Sequence, residues 1–193
     1  MLRRIAVFCA SSNKAAQIYR EAAKDVAVFL ARNQIDVYYG GGKDGLMGVL
    51  ANTVLRENGK IIGVQPVFMQ EQGWFHPGIS ELILVNTMAQ RKEYLFNVAE
   101  AVVALPGGCG TLDELLEAIT LKQLGLFNHP VVILNTAGFF NPLLQQLDKM
   151  IAEEFMRNEH RAIWQVILQP SELPEALNSG SDWSPEHIHL AQI

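Results

Sequence analysis

Short apolar segments alternate with longer segments of helical periodicity along most of this chain. The apolar segments are rich in β-branched residues and read RIAVFCA, IDVYYGGG, KIIGVQP, LILV, AVVAL and VVILN. Between them, apolar residues recur every three or four positions, as in KAAQIYREAAKDVAVFLARN and GLMGVLANTVLRENG, which predicts amphipathic helices. Apolar strands that alternate with helices indicate a parallel sheet covered on both faces. We therefore expect an α/β fold, a doubly wound parallel sheet in a single domain over residues 1–178, with a polar tail over residues 179–193.

Three further helices complete the predicted pattern. They are TMAQRKEYLFNVAE, with Thr87 as the N-cap; TLDELLEAITLKQLG, ended by Gly125; and NPLLQQLDKMIAEEFM, with Asn141 as the N-cap and Pro142 in the first turn. The segment 67–80 is predicted to be irregular. Because it is long for a connection in a compact domain, it favours a lid or a binding loop.

Composition narrows the class of protein. The chain has 193 residues, of which 49% are hydrophobic, so it can bury a core without disulfides or metal. The net charge is −5 and the basic residues are dispersed, which argues against nucleic-acid or membrane partners and leaves a small anionic ligand open. No apolar run approaches bilayer length, and the two cysteines are not spaced as metal ligands. We expect a cytoplasmic protein without a cofactor or a metal.

Glycine-rich loops follow two of the predicted strands. Parallel sheets bind ligands beyond the carboxyl ends of their strands, so both loops are expected at one edge. The first loop, GGGKDG, fits the dinucleotide pattern G-x-G-x-x-G, but it follows the second strand, and Gln65 occupies the place of the ribose-binding acid. NAD is therefore disfavoured. The loop is either a tight turn or a set of amides, at Gly41 and Gly42, that contact part of a mononucleotide.

The second loop, LPGGCGTLDE, admits three interpretations. A nucleophilic Cys109 would need a nearby base, and no motif ties any of the five histidines to it. Thr111 and Glu114 have the spacing of a capping box, which would need no chemistry. The glycines allow a ligand to approach the backbone closely, and a helix N-terminus attracts anions, so the loop also fits a phosphate site. Capping and phosphate binding do not exclude each other.

A basic pair, Arg91 and Lys92, lies on the helix that precedes this loop. Adjacent helical residues point about 100° apart, so at most one of the two faces a site directly. The alternative is a solvated basic pair. Arginine is the better partner for sugar oxygens and carboxylates, because its planar group donates in two directions.

Together, GGGKDGLMG, MAQRK and PGGCGTLDELLEAIT resemble motifs of the LOG family of cytokinin riboside 5′-monophosphate phosphoribohydrolases. The resemblance runs from the first strand to about Met156. It implies a Rossmann-like fold, a homodimer, and hydrolysis of the N-glycosidic bond between ribose 5-phosphate and adenine or N6-substituted adenine.

The resemblance also implies site residues. Arg91 and Glu114 match the family's catalytic pair. The family commonly has a glutamate in the long loop where this chain has Gly73, and Glu71, two residues away, is expected to join the substrate site. Further positions that line the family's nucleotide site match Lys92, Gly107, Gly108, Cys109, Gly110, Thr111, Leu112, Asp113 and Thr120.

Two other functions compete with this one. Many LOG members carry the label possible lysine decarboxylase, but that reaction needs an electron sink such as pyridoxal phosphate on a lysine, and no segment indicates such a site. A non-catalytic nucleotide-binding module would bind the ligand without a carboxylate at the anomeric carbon. Glu114 distinguishes a hydrolase from such a binding module, since a carboxylate at the anomeric carbon can stabilise an oxocarbenium-like transition state.

Overall fold

The computed structural model describes residues 2–179, 183 and 185–191. The strands are β1 (Arg4–Phe8), β2 (Asp36–Tyr39), β3 (Ile61–Pro66), β4 (Glu81–Val85), β5 (Ala101–Ala104), β6 (Val131–Leu134) and β7 (Gln165–Ile167). The α-helices are α1 (Gln17–Arg32), α2 (Gly45–Arg56), α3 (Val67–Glu71), α4 (Met88–Val98), α5 (Cys109–Gln123), α6 (Asn141–Ala152) and α7 (Leu173–Asn178). Short 3₁₀ helices cover Thr136–Gly138, Asn158–Ile163, Pro170–Glu172 and Pro185–Leu190.

The described strands form one seven-stranded sheet in the order β4-β3-β2-β1-β5-β6-β7. Every neighbouring pair is parallel, including β1 with β5, where Ile5 lies opposite Ala101. The chain runs outward from β1 to β4 and then returns to the other side of β1 with β5. This reversal is the place where open parallel sheets form ligand crevices. The predicted doubly wound parallel sheet is confirmed.

Two hydrophobic clusters cover the two faces of the sheet. Alternate residues of β1 divide between them: Ile5 and Val7 pack with α1 and α2, whereas Ala6 and Phe8 pack with α4 and α5. Because every residue of β5 and β6 is buried, these strands read as unbroken apolar runs in the sequence.

Some local predictions are wrong. Residues 67–71 form the short helix α3 within the segment predicted as irregular. The N-cap of α6 is Phe140, and Asn141 is its first residue; the side-chain oxygen of Asn141 accepts a hydrogen bond from Asn135 at 2.8 Å. The elements β7 and α7 were not predicted, because their segments are short and their apolar positions too few to show a period.

The predicted tail, residues 179–193, is only partly described: residues 180–182, 184 and 192–193 lie outside the described residues. Trp183 is buried and belongs to the cluster beneath α5. Its indole N–H donates a hydrogen bond to the carbonyl oxygen of Lys122 at 2.7 Å. At least this part of the tail therefore packs on the domain.

Candidate active site

A cavity of about 570 Å³ opens at the carboxyl edge of the sheet, where the strand order reverses. Its walls come from the segments that follow β1, β2 and β5, from the end of β3, and from α3 and α4. Gly42 and Gly108, one from each glycine loop, both line it. The prediction that the two loops lie at one edge of the sheet is confirmed, and both line the same cavity.

A buried ion pair lies in the wall of this cavity. Nη1 of Arg91 is 2.8 Å from Oε1 of Glu114, and both side chains are less than a tenth exposed. Arg91 also donates through Nε to the carbonyl oxygen of Val64 at 3.0 Å, which fixes the guanidinium group against the end of β3. The predicted cap Thr87, whose hydroxyl accepts from the backbone N–H of Gln90, sets the start of α4 one turn before Arg91.

The environment of Glu114 makes its carboxylate harder to ionise than an exposed one. Burial raises the pKa of Glu114, and the positive charge and hydrogen bond of Arg91 oppose that increase. A carboxylate whose pKa is raised in a cleft is a typical catalytic group. Burial, followed by the charge of Glu114, raises the pKa of the neighbouring Cys9 thiol above its ordinary value, which disfavours the thiolate.

The helix α5 begins at the second glycine loop, two residues earlier than predicted. Gly108 is its N-cap and Cys109 its first residue, so Thr111 lies inside the first turn. No side chain caps this end, and Glu114 pairs with Arg91. The capping-box interpretation of Thr111 and Glu114 is therefore wrong. The amides of the first turn have no acceptor within the helix, and they are available to an anion.

The glycines of this loop differ in what surrounds them. A Cβ atom added to Gly107 would collide with the hydroxyl of Thr111, so Gly107 serves internal packing. Cβ atoms added to Gly108 or Gly110 would meet nothing within 4 Å, and both residues line the cavity. The fold itself does not require glycine at these two positions. The space they leave open lies at the helix N-terminus, beside the free amides of the first turn.

The segment after β3 folds over the first glycine loop. The backbone N–H of Lys43 donates to the carbonyl oxygen of Trp74 at 3.1 Å, and that of His76 donates to Gly41 at 2.9 Å. An antiparallel bridge joins Gly42 to Phe75. As a result, Met69 and Trp74 form part of the cavity wall, and the indole remains half exposed at its mouth. The predicted binding loop does border the site.

The structure brings about half of the predicted site residues to the cavity. Those that line it are Arg91, Glu114, Gly42, Gly108, Cys109, Gly110 and Thr111. Those that do not line it are Lys92, Gly107, Leu112, Asp113, Thr120, Gly41 and Glu71.

The second set stays outside for local reasons. The ammonium group of Lys92 pairs with Asp113 at 3.0 Å and with Glu117, so it lies against α5 instead of entering the cavity. Thr120 lies about 9 Å beyond Glu114 along α5, and its hydroxyl donates to the carbonyl oxygen of Leu116 at 2.8 Å. Glu71 is exposed at the end of α3.

Sequence reasoning missed part of the lining. Cys9 and the methionines of three different elements contact the cavity, and their positions depend on packing that no local pattern reveals. Gln65, which also lines it, had a visible signal: it is the single polar side chain in the apolar strand IIGVQP.

Two features are absent from the described residues. These residues contain no group of three or more His, Cys, Asp or Glu side chains placed to hold a metal ion. None of the helices in this part of the chain is both long and apolar enough to cross a membrane.

Sequence comparison identifies relatives along nearly the whole chain. The family model described as possible lysine decarboxylase matches residues 47–177. A probable cytokinin riboside 5′-monophosphate phosphoribohydrolase of Oryza sativa subsp. japonica is 40% identical over 96% of this chain and 75% of its own. A cytokinin riboside 5′-monophosphate phosphoribohydrolase of Arabidopsis thaliana is 39% identical over 96% of this chain and 85% of its own.

Solved structures with low sequence identity share the fold. The molybdenum cofactor binding protein of Rippkaea orientalis superimposes with a TM-score of 0.71 at 18% identity, covering 93% of this chain and 97% of that one. The molybdenum cofactor carrier protein of Chlamydomonas reinhardtii gives 0.69 at 19% identity, covering 91% and 96%. These likenesses support the Rossmann-like architecture alone. With the relatives at about 40% identity, the family resemblance of the three motifs is confirmed: the chain belongs to the LOG family, whose members include the cytokinin riboside 5′-monophosphate phosphoribohydrolases of plants.

Proposed function

We propose that this protein hydrolyses the N-glycosidic bond of adenine-type nucleoside 5′-monophosphates, AMP and N6-substituted cytokinin nucleotides among them. The products are the free base and ribose 5-phosphate. One observation carries the proposal: the buried Arg91–Glu114 pair shares a cavity with the uncapped start of α5. The named activity of the relatives at about 40% identity agrees with it.

The carboxylate of Glu114 supplies the central electrostatic element. As the bond between C1′ and the base nitrogen breaks, its electrons leave with the base, and positive charge develops on the ribose. A carboxylate beside C1′ stabilises that charge. The oxygen of a water molecule then bonds to C1′ and loses a proton. The base, which left with the bonding electrons, gains a proton, so that charge is balanced. Arg91 holds the carboxylate in place and favours its ionised form, since its charge lowers the pKa of Glu114.

The start of α5 supplies the binding site for the phosphate group. Its free amides and the positive end of the helix dipole lie where Gly108 and Gly110 leave open space. Binding energy from the phosphate, remote from the reacting bond, can be used to position the ribose. A nucleoside without phosphate should therefore react poorly.

Lysine decarboxylation does not fit the described residues. Lys43 is the lysine in the cavity lining, and its ammonium group donates to the carbonyl oxygen of Gly73 at 2.6 Å at the exposed mouth. Lys92 is held by two carboxylates outside the cavity. Lys122 is fully buried, but it lies outside the cavity lining and its ammonium group donates to the carbonyl oxygen of His129 at 2.9 Å. None of the three is placed as the buried lysine that a pyridoxal phosphate site requires.

We also propose that the functional unit is a homodimer formed through α5. Leu116 and Leu124 are each about 40% exposed, and Leu126, just beyond the helix, is 71% exposed. Leu116, Thr120 and Leu124 are spaced by four residues and share one face of the helix. Covering this apolar face with a second copy removes it from water.

The domain assignment and the location follow the same proposal. The cavity lining lies within residues 1–178, which we assign as the nucleotide-hydrolysing domain. The two cysteines are free, which fits the reducing cytoplasm.

The direct test is incubation of the purified protein with AMP, with chromatographic detection of adenine and ribose 5-phosphate. Release of both in equal amounts supports the proposal. Binding of AMP without release of adenine would instead indicate a nucleotide-binding module. Adenosine is the matched control, and it should be cleaved much more slowly than AMP.

A further inference from the structure

Gln65 is a buried amide at the floor of the cavity. It lies near the end of β3, is 2% exposed, and lines the cavity. Its Nε2 donates to the carbonyl oxygen of Gly40 at 3.2 Å. That carbonyl can only accept, so the amide is held with its oxygen pointing the other way.

The side-chain oxygen of Gln65 lacks a hydrogen-bond partner among the described residues, although it is buried. A buried acceptor without a donor is unfavourable, and native proteins keep few of them. An apolar side chain would complete the strand IIGVQP without this penalty. The arrangement is explained if a ligand in the cavity supplies the donor.

The catalytic pair and Gln65 are attached to the same two backbone segments. Arg91 donates to the carbonyl oxygen of Val64, the residue before Gln65. A Cβ atom added to Gly40 would collide with Nη2 of Arg91, so the guanidinium group and the Gln65 amide both lie against Gly40. Gln65 thus adjoins Arg91, the partner of Glu114, and all three side chains line the same cavity.

We propose that the side-chain oxygen of Gln65 accepts a hydrogen bond from the 2′-hydroxyl of the nucleotide, which makes Gln65 a specificity-determining residue for ribose over deoxyribose. This inference rests on the proposed hydrolysis of nucleotides at this site.

The position of Gln65 in the sheet favours a contact with the ribose over a contact with the base. In dinucleotide-binding folds, an acidic side chain at the end of the strand beside the glycine loop accepts from the ribose 2′-hydroxyl. Gln65 is the last residue but one of β3, the strand beside β2 and its loop Gly40–Gly45, and it packs against Gly41. A glutamine oxygen accepts as a carboxylate does, without adding a second negative charge next to Glu114.

The test is a cycle that pairs one change in the protein with one change in the substrate. The kcat/KM values for AMP and for 2′-deoxy-AMP are measured with the wild type and with Gln65→Met. Because deoxyribose differs in intrinsic reactivity, the informative quantity is how the AMP to 2′-deoxy-AMP ratio changes between the two proteins. Loss of a hydrogen bond that leaves a buried partner unpaired predicts a fall of about tenfold in this ratio.

Two further variants separate recognition from general damage. Gln65→Glu, in its neutral form, keeps both an acceptor oxygen and a donor to the carbonyl oxygen of Gly40, and should retain most of the preference for AMP at a pH where this buried carboxyl is protonated. Met47→Leu alters the apolar wall next to Gly42 and should change both substrates by the same factor.

An unchanged ratio in Gln65→Met would overturn the inference while leaving the proposed hydrolysis intact. The inference would also be overturned if Gln65→Met lowered instead the AMP to 3′-deoxy-AMP ratio of kcat/KM, since Gln65 would then contact the 3′-hydroxyl. A lower AMP to inosine monophosphate ratio would overturn it as well, since Gln65 would then contact the base. If the wild type cleaves neither nucleotide, the proposed function fails, and the same cycle on dissociation constants still decides the role of Gln65. Absence of binding by both nucleotides would overturn both proposals.

Discussion

The carboxylate of Glu114 and the guanidinium group of Arg91 meet at 2.8 Å across the strand that joins their two helices. Arg91 lies on α4, which leads into β5, and Glu114 lies on α5, which follows it. Each side chain is buried and each compensates the charge of the other. The pair is thus both a structural contact and the proposed reaction centre, and its variants must be judged on stability and activity separately.

Glu114→Gln should lower kcat for AMP by about a hundredfold or more, because the negative charge beside the developing oxocarbenium ion is lost. The melting temperature should also fall. Glutamine keeps an acceptor for Arg91, but the guanidinium charge stays buried without its counter-charge, and breaking a buried pair costs up to about 3–5 kcal/mol. Adenine release, AMP affinity and thermal unfolding together check this prediction.

Glu117→Gln is the matched control on the same helix. It removes a carboxylate that pairs with Lys92 outside the cavity, and its rate should stay near that of the wild type. Normal turnover by Glu114→Gln would remove Glu114 from the mechanism.

The pH dependence of the reaction should report the pair directly. Burial raises the pKa of Glu114, so activity should be lost at a higher pH than for an exposed glutamate as the solution is acidified. Arg91→Met removes the charge that lowers this pKa, and the acid limb of kcat/KM should move to still higher pH. Lys92→Met should move it less, because Lys92 is the weaker of the two influences. An identical limb in all three proteins would contradict this assignment.

Gly110→Ala should weaken AMP binding without loss of stability. The added methyl group meets no protein atom and enters the cavity, while alanine favours the helix by up to about 1 kcal/mol. Gly107→Ala should do the reverse and lower the melting temperature, since its methyl group collides with Thr111. Calorimetric titration with AMP and thermal unfolding distinguish the two. Unchanged affinity in Gly110→Ala would place the phosphate elsewhere.

The double substitution Leu116→Arg, Leu124→Arg should convert a dimer into monomers. Two charges on the exposed apolar face of α5 cannot be buried against a second copy without a large desolvation cost. Light scattering should show the mass halved, whereas Leu168→Arg, an exposed leucine after β7, should leave it unchanged. A monomer mass for the wild type would refute the dimer.

Long-range features of the fold were predictable because they follow from simple periodicities. Buried runs such as VVIL predict parallel strands, and parallel strands place the loops that follow them at one edge. The cavity shared by Gly42 and Gly108 was therefore accessible from the sequence, as was the cap at Thr87.

Partners from distant parts of the chain explain the side-chain contacts that the sequence did not predict. The spacing of Thr111 and Glu114 satisfies the capping-box rule, yet Gly108 is an acceptable N-cap and Glu114 finds a full charge in Arg91, 23 positions away by their numbers. The partner that wins lies on another helix, and only the folded sheet brings it near. Similarly, whether Lys92 or Arg91 faces the cavity depends on Asp113 and Glu117, which capture the ammonium group.

The half-exposed indole of Trp74 at the mouth of the cavity makes the protein its own optical reporter. A nucleotide that enters the site alters the polarity around this ring, and stacking of a purine on it would quench its emission. The other two tryptophans, Trp164 and Trp183, pack in the cluster beneath α5 and form a steady background. A fluorescence titration with AMP, repeated with Trp74→Phe, therefore measures occupancy of the site without any label and without turnover.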